Sequence, residues 1–142
     1  MKRSRSEELN QAFQEEAKEI FVELEATLLE LNKSSDDKEL VQKAFRALHT
    51  IKGSGSMFGF DKVAAFTHNL ENAYDEVREG RLKVTPELID LTLAGLDEIK
   101  MMMDEAAGRA VADSGRAENI LVKLRALTGT SAAGASWTCT AF

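Results

Sequence analysis

The chain has 142 residues, of which 44% are hydrophobic, enough to build the core of one domain. A further 30% are charged, enough to keep such a domain soluble. With 18 basic and 24 acidic residues its formal net charge is -6, which argues against nucleic acid or an anionic membrane as the main partner. The single cysteine, Cys139, excludes an internal disulfide framework and a multi-cysteine zinc cage. No apolar run approaches the roughly 20 residues of a membrane span. No apolar segment follows the basic N-terminus as in a secretory signal, so we expect a cytoplasmic protein.

Apolar residues recur at spacings of three and four along most of the chain, which is typical of amphipathic helices. Five helices are predicted in this way, with approximate ranges 7–31, 38–57, 61–79, 86–103 and 116–127. Nothing alternates at period two for long enough to form a sheet. The predicted fold is therefore all-α, an antiparallel up-down four-helix bundle with an additional C-terminal helix.

The residues at the predicted helix ends support these boundaries. The aspartates before residue 38 are positioned to cap the second helix, and Asp61 is the predicted N-cap of the third. Gly80 is the predicted stop of the third helix, and Thr85 caps a fourth helix that begins at Pro86. Residues 106–115 are a loosely patterned connector. The uncharged segment 129–142 is predicted to be a linker or tail that follows a domain of residues 1–128.

His49 is the first candidate for chemistry. It lies about 100° around the second helix from Leu48, on the solvent side, and Lys52 shares its face one turn later. Gly53 and Gly55 are expected to remove side-chain bulk from the surface beside the ring. Such a histidine suits phosphate uptake, because its neutral nitrogen is a nucleophile, the cation steadies the phosphoryl charge and bare backbone admits another active site. A solvated lysine and glycines that merely end the helix explain the same pattern equally well.

His68 and Glu71 form a second candidate pair, three residues apart on the third helix and on the side away from Phe66 and Leu70. If the second and third helices pack antiparallel, this pair can lie near His49. A carboxylate that accepts the Nδ1–H of a histidine fixes its tautomer, leaves Nε2 free and increases its basicity. The alternative is one more surface glutamate, since spacing within one helix does not establish a contact between helices.

The segment from His49 to Phe60, HTIKGSGSMFGF, resembles the histidine-containing phosphotransfer (HPt) domains of two-component signalling. The family pattern is a histidine, two variable residues, a lysine, a glycine and small residues, and the segment matches it throughout. A second signature matches at residues 66–71, FTHNLE, and continues into VREG at 77–80. The resemblance covers roughly Glu7 to Leu127, and it looks most like the N-terminal phosphotransfer domains of CheA-type chemotaxis kinases.

The resemblance implies a role for four residues of this chain. His49 would be the phosphoacceptor, Glu71 would hold its Nδ1–H, Lys52 would stabilise the phosphoryl group and His68 would be an auxiliary member. The implied partners are a CheA-type kinase catalytic domain, which uses ATP and Mg, and CheY-like or CheB-like response regulators, whose aspartate receives the group. The domain itself would be a monomer that binds no cofactor, metal, nucleic acid or membrane. It would be no enzyme by itself, and the sequence has no Walker-type loop. An excised domain of a larger kinase is favoured over a stand-alone protein.

Two other readings of the sequence remain open. A metal-binding bundle could use His49, His68 and Glu71, but a di-metal bundle needs inward-facing glutamates and Glu-x-x-His pairs, and the sequence has no such pair. A purely structural or adaptor bundle is equally compatible with the amphipathic helices. Arg46, Arg78 and the acidic face of the first helix are expected to be solvated charges, with contact to a docked regulator as the alternative for some of them.

Overall fold

A computed structural model of the protein describes residues 5–106 and 114–128. Within these ranges the secondary structure consists of five α-helices: α1 (Arg5–Lys33), α2 (Lys38–Met57), α3 (Asp61–Arg78), α4 (Pro86–Ala106) and α5 (Ser114–Thr128). Their ends lie close to the predicted ones. The predicted tail, 129–142, and residues 107–113 of the predicted connector lie outside the described residues. None of the described helices is both long and apolar enough to cross a bilayer.

The first four helices pack as a closed ring, in which each helix contacts two others. α2 and α3 form the most extensive pairing, α1 packs against α2 and α4, and α3 packs against α4. Because the connections at 34–37, 58–60 and 79–85 are short, consecutive helices run in opposite directions. α5 packs against α3 and α4. The prediction of an antiparallel up-down four-helix bundle with an additional C-terminal helix is confirmed.

The core is made of the apolar stripe of each helix, and its largest fully buried side chains include Phe13, Leu24, Leu28, Leu48, Ile51, Leu70, Leu96 and Ile99. One buried polar contact joins α3 to α4. The Tyr74 hydroxyl lies 2.8 Å from Thr92 Oγ1, which donates to the Leu88 carbonyl at 2.7 Å. Burial raises the pKa of Tyr74, so the phenol stays protonated and can donate to Thr92.

The turn after α2 brings α3 back along α2. Gly59 has a φ of +85°, which the absence of a Cβ makes accessible. Its N–H donates to the Ser56 carbonyl at 3.2 Å, and the Phe60 N–H donates to the Gly55 carbonyl at 2.6 Å. This pair of bonds is the Schellman arrangement that ends many helices. The tight return places the solvent side of α2 next to one face of α3.

Most of the predicted helix ends are observed. Asp37 Oδ1 accepts from the N–H groups of residues 39 and 40 and so caps α2. Thr85 Oγ1 accepts from the Leu88 N–H at 3.1 Å at the start of α4. Gly80 follows α3 with a φ of +79°, as expected of a stop.

The prediction that Asp61 is the N-cap of α3 is wrong by one residue. The cap position is Phe60, which gives no side-chain hydrogen bond, and Asp61 is the first helical residue. The reason is the preceding turn, which fixes Phe60 through its N–H while its carbonyl accepts from the Ala64 N–H at 3.0 Å. Asp61 in the first turn still complements the positive end of the helix dipole.

Candidate functional site

His49 lies on the solvent-facing side of α2. Its side chain is 62% exposed, whereas the preceding residue, Leu48, is completely buried in the core. Since a helix fixes the angle between consecutive side chains at about 100°, the buried leucine holds the backbone while the imidazole stays accessible. A group that must react with another macromolecule needs this combination of a fixed backbone and an accessible side chain.

Glu71 approaches His49 from α3. Its Oε2 lies 2.5 Å from His49 Nδ1, although the two residues are 22 positions apart in sequence. The Glu71 side chain is only 7% exposed. The sequence pattern indicated a face turned away from the core, but α3 contacts both α2 and α4, so α2 covers that face as well. The contact between helices that spacing alone left open is therefore present, with the carboxylate buried in the α2–α3 interface.

Lys52 approaches the other oxygen of the same carboxylate. Its Nζ lies 2.6 Å from Glu71 Oε1, and its side chain is 28% exposed. The ammonium and the carboxylate therefore form a close ion pair. One buried carboxylate thus joins two side chains from successive turns of α2, and the ammonium is held beside the imidazole.

The charge state of Glu71 follows from these contacts. Burial by itself would raise the pKa of the carboxyl group, because it removes the charged form from water. The close contacts and charges of Lys52 and then of His49 outweigh burial, and they hold the pKa of Glu71 below its usual value of 4.5. At neutral pH the ionised carboxylate can only accept, so in the neutral form of the ring this contact assigns the proton to His49 Nδ1 and leaves Nε2 without one.

His68 lies one turn before Glu71 on α3. Its Nδ1 is 3.7 Å from Glu71 Oε1, and its side chain is 47% exposed. That distance is too long for a hydrogen bond but short enough for attraction when the ring is protonated. His49, Lys52, His68 and Glu71 are hereafter called the His49 cluster.

The two glycines after Lys52 differ in their surroundings. A Cβ on Gly53 would meet nothing within 4 Å, so this residue leaves open surface one turn after His49. Gly55 is buried. A Cβ there would lie 3.4 Å from Val63 Cγ1 and 3.5 Å from the Phe60 carbonyl oxygen. The prediction that both glycines expose surface beside the ring is wrong for Gly55, which allows α2 and the start of α3 to approach closely.

Phe45 adjoins His49, Arg78 in turn contacts Phe45, and the sequence pattern assigned neither residue to the site. The Phe45 ring lies nearly parallel to the imidazole, with an interplanar angle of 16° and centroids 6.2 Å apart. The Arg78 guanidinium carbon lies 4.1 Å from the centroid of Phe45. The spacing of four residues between Phe45 and His49 was a usable signal. Arg78 was expected to be a solvated charge.

The described residues provide no evident metal site. Within 5–106 and 114–128, no group of three or more histidine, cysteine, aspartate or glutamate side chains is placed to hold a metal ion. What the His49 cluster offers is a nucleophilic nitrogen, a buried carboxylate that orients it, and a cation beside both. These are the components that covalent transfer of an anionic group requires.

Comparison with known proteins identifies the class to which this fold and site belong. The Hpt domain family matches residues 8–109, a range that contains all of α2 and α3 and every residue of the His49 cluster. The chain belongs to the Hpt family of phosphotransfer domains.

Within that family the similar proteins are CheA proteins. The chain is 39% identical over 103 residues to chemotaxis protein CheA of Listeria monocytogenes, covering 71% of this chain and 17% of that protein. It resembles the CheA phosphotransferase domain from Thermotoga maritima, with a TM-score of 0.69 and 43% identity over 74% of this chain and 99% of that one. It also resembles the phosphorylated P1 domain of CheA3 from R. sphaeroides, solved in complex with CheY6, with a TM-score of 0.75 and 26% identity, covering 86% and 96% of the two chains. The chain thus spans about a sixth of the length of the curated relatives it matches.

Proposed function

We propose that this domain carries phosphoryl groups in chemotaxis-type two-component signalling, with His49 as the phosphoacceptor. The observation that supports the proposal most directly is an exposed imidazole whose Nδ1 lies 2.5 Å from a buried carboxylate, Glu71. An ionised carboxylate at Nδ1 keeps the proton there and leaves the Nε2 lone pair for attack. Membership of the Hpt family supports the same chemistry.

In the uptake step the lone pair of His49 Nε2 attacks the γ-phosphorus of ATP held by a CheA-type kinase domain. The new N–P bond forms as the bond from the γ-phosphorus to its bridging oxygen breaks, and ADP leaves with that electron pair. His49 keeps the proton on Nδ1 and becomes a phosphorylated imidazolium. The Glu71 carboxylate accepts that N–H and neutralises the positive charge of the ring.

Lys52 and His68 have supporting roles in the proposal. The Lys52 ammonium is held beside the imidazole by Glu71, 2.6 Å away, and can stabilise the phosphoryl oxygens as they arrive. His68, 3.7 Å from the same carboxylate oxygen, is an auxiliary member that steadies Glu71 when its ring is protonated.

In the release step an aspartate of a response regulator takes the group. A carboxylate oxygen attacks phosphorus, the P–Nε2 bond breaks, and its electron pair returns to His49 as neutral imidazole. A CheA3 P1 domain that is similar to this chain has been solved in complex with CheY6. We propose regulators of the CheY or CheB type as the recipients here.

We propose that this domain leaves the binding of nucleotide and metal to its partners. ATP and Mg²⁺ belong to the separate kinase domain, and this domain needs no cofactor of its own. It is a substrate that gains and loses a phosphoryl group, and no enzyme by itself. We propose that it acts as a monomer in the cytoplasm, as part of a CheA-like histidine kinase.

The test is labelling with a CheA-type catalytic core and γ-labelled ATP. His49→Gln and His68→Gln are a matched pair, since both replace an exposed histidine of the His49 cluster. We expect acid-labile, base-stable label on the wild type and on His68→Gln, and none on His49→Gln. Label on His49→Gln equal to the wild type would overturn the assignment of the phosphoacceptor.

A mismatched kinase needs its own control. The kinase core can label its own phosphotransfer domain and fail to label this one. In that case the small phosphoryl donor phosphoramidate replaces the kinase core and ATP, because this reagent needs no docking surface. Absence of label with that donor as well would contradict the proposed function.

A further inference from the structure

The contact between Phe45 and His49 suggests how the reactive ring is oriented. The two side chains lie one turn apart on α2, and their rings are within 16° of parallel. Phe45 is only partly buried, although it packs against the core.

Arg78 holds the Phe45 ring from the end of α3. Its guanidinium carbon lies 4.1 Å from the ring centroid, a cation–π contact. Its Nη1 donates to Asp75 Oδ1 at 3.0 Å, so the guanidinium is fixed from its own helix. A continuous series of contacts therefore runs from Asp75 through Arg78 and Phe45 to His49.

The contact with Glu71 alone does not fix the plane of the imidazole. It restrains one atom, Nδ1, of a side chain that is 62% exposed, and the ring can still tilt about that atom. A flat partner parallel to the ring restricts this tilt. Orientation matters because attack on phosphorus requires the nitrogen lone pair to lie in line with the bond that breaks.

We propose that Phe45 and Arg78 are positioning residues that hold the imidazole plane of His49 for in-line attack by Nε2. The inference rests on the proposed function of His49, and it adds two residues that act through the orientation of the ring. Asp75 fixes Arg78, and Arg78 fixes Phe45.

Two phosphoryl donors, the kinase core with ATP and phosphoramidate, distinguish an effect on the orientation of the His49 ring from an effect on docking of the kinase. Phe45→Leu keeps apolar volume but removes the flat ring, and Phe45→Tyr restores it. With phosphoramidate, Nε2 forms its bond to phosphorus as the P–N bond of the reagent breaks and ammonia leaves. We expect Phe45→Leu to slow labelling of His49 about three- to tenfold with both the kinase core and phosphoramidate, and Phe45→Tyr to restore the rate.

Arg78→Gln should slow both reactions in the same direction by about two- to fivefold, the size of a partly exposed cation–π contact. The matched control is Phe21→Leu. Phe21 also carries a cation over its ring, with Lys100 Nζ 5.5 Å from the centroid, but it lies in the pairing of α1 with α4. Phe21→Leu should leave the labelling rate unchanged.

The three-bond coupling constants of the His49 side chain test the position of the ring without any donor. We expect one pair of χ1 and χ2 angles in the wild type and in Phe45→Tyr, and averaging of these angles in Phe45→Leu. Couplings in Phe45→Leu identical to the wild type would overturn the inference, and so would a rate that falls with the kinase core only, which would make Phe45 a docking residue. Label on His49→Gln equal to the wild type would overturn the assignment of His49 as the phosphoacceptor, whereas the couplings would still decide whether Phe45 holds the ring.

Discussion

Replacing Glu71 by glutamine tests how far the His49 cluster depends on a charged carboxylate. The substitution keeps the size of the side chain and removes its negative charge. Glutamine can turn its oxygen toward only one of the two groups that the carboxylate contacts, His49 at 2.5 Å and Lys52 at 2.6 Å. Its NH₂ group then faces the other, which is itself a donor.

The expected size of the effect follows from burial and contact type. Glu71 is 7% exposed, whereas Lys52 is 28% exposed and partly screened by water. The loss of one charge-assisted contact at such a site should lower the free energy of unfolding by about 1–3 kcal/mol. The rate of phosphorylation should fall about 10- to 100-fold, the usual cost of losing a carboxylate that orients a histidine.

The assay compares Glu71→Gln with Glu79→Gln, which removes an exposed carboxylate after the end of α3. Urea unfolding measures stability, and initial labelling by the kinase core measures the rate. The control should change stability by no more than about 0.5 kcal/mol. A Glu71→Gln protein that is labelled as fast as Glu79→Gln would refute the assigned role of the carboxylate at Nδ1.

The loss of stability caused by Glu71→Gln is predicted to depend on pH. Because the pKa of Glu71 is lowered in the folded state, its charge stabilises the fold above its usual value of 4.5. That stabilisation is lost as the pH falls through the lower pKa of the folded state. The difference in unfolding free energy between wild type and Glu71→Gln should therefore be largest near neutral pH and shrink below 4.5. A difference that stays constant through this range would show that the charge does not stabilise the fold.

Three further substitutions probe the bundle, each followed by urea unfolding. Tyr74→Phe removes the buried hydroxyl that contacts Thr92 and should cost about 1 kcal/mol without changing the labelling rate; a neutral result would contradict the assigned hydrogen bond. Gly53→Ala should add about 0.5–1 kcal/mol of stability, because a Cβ there meets open space, and destabilisation would refute that description. Gly80→Ala should cost about 1–2 kcal/mol, since its φ is +79°; an unchanged midpoint would contradict the left-handed turn.

The helices were predictable because their signals are local. Periodic apolar residues mark one stripe on each segment, and the caps at Asp37 and Thr85 act within three residues of their own position. The error at Asp61 arose where the turn that ends one helix also sets the start of the next. The turn that closes onto the Gly55 carbonyl fixes Phe60 as the last residue before α3.

The four residues of the His49 cluster could be selected from the sequence, whereas their geometry and the contacts of Phe45 and Arg78 could not. Spacing placed His49 and Lys52 on one face of α2, but it could not show that Glu71 is buried, because burial of that face depends on which helix covers it. Gly55 was misassigned for the same reason, since its neighbours are Val63 and Phe60 from the next segment. The spacing of residues within one helix does not show which other helix covers a given face.

The position of Lys52 has a consequence for how the proposed mechanism handles charge. In the domain without a phosphoryl group, the charge of Glu71 is balanced by that of Lys52 at 2.6 Å. Transfer of PO₃⁻ to Nε2 leaves a positive ring next to the carboxylate and adds a doubly negative phosphoryl group. Glu71 then has the imidazolium as a second cation, so its attraction for Lys52 is shared while the phosphoryl oxygens attract the ammonium. Since Lys52 is neither fully buried nor far from the ring, a rotation of its flexible side chain is enough to rebalance the site, and the carboxylate can stay on Nδ1 throughout both transfers.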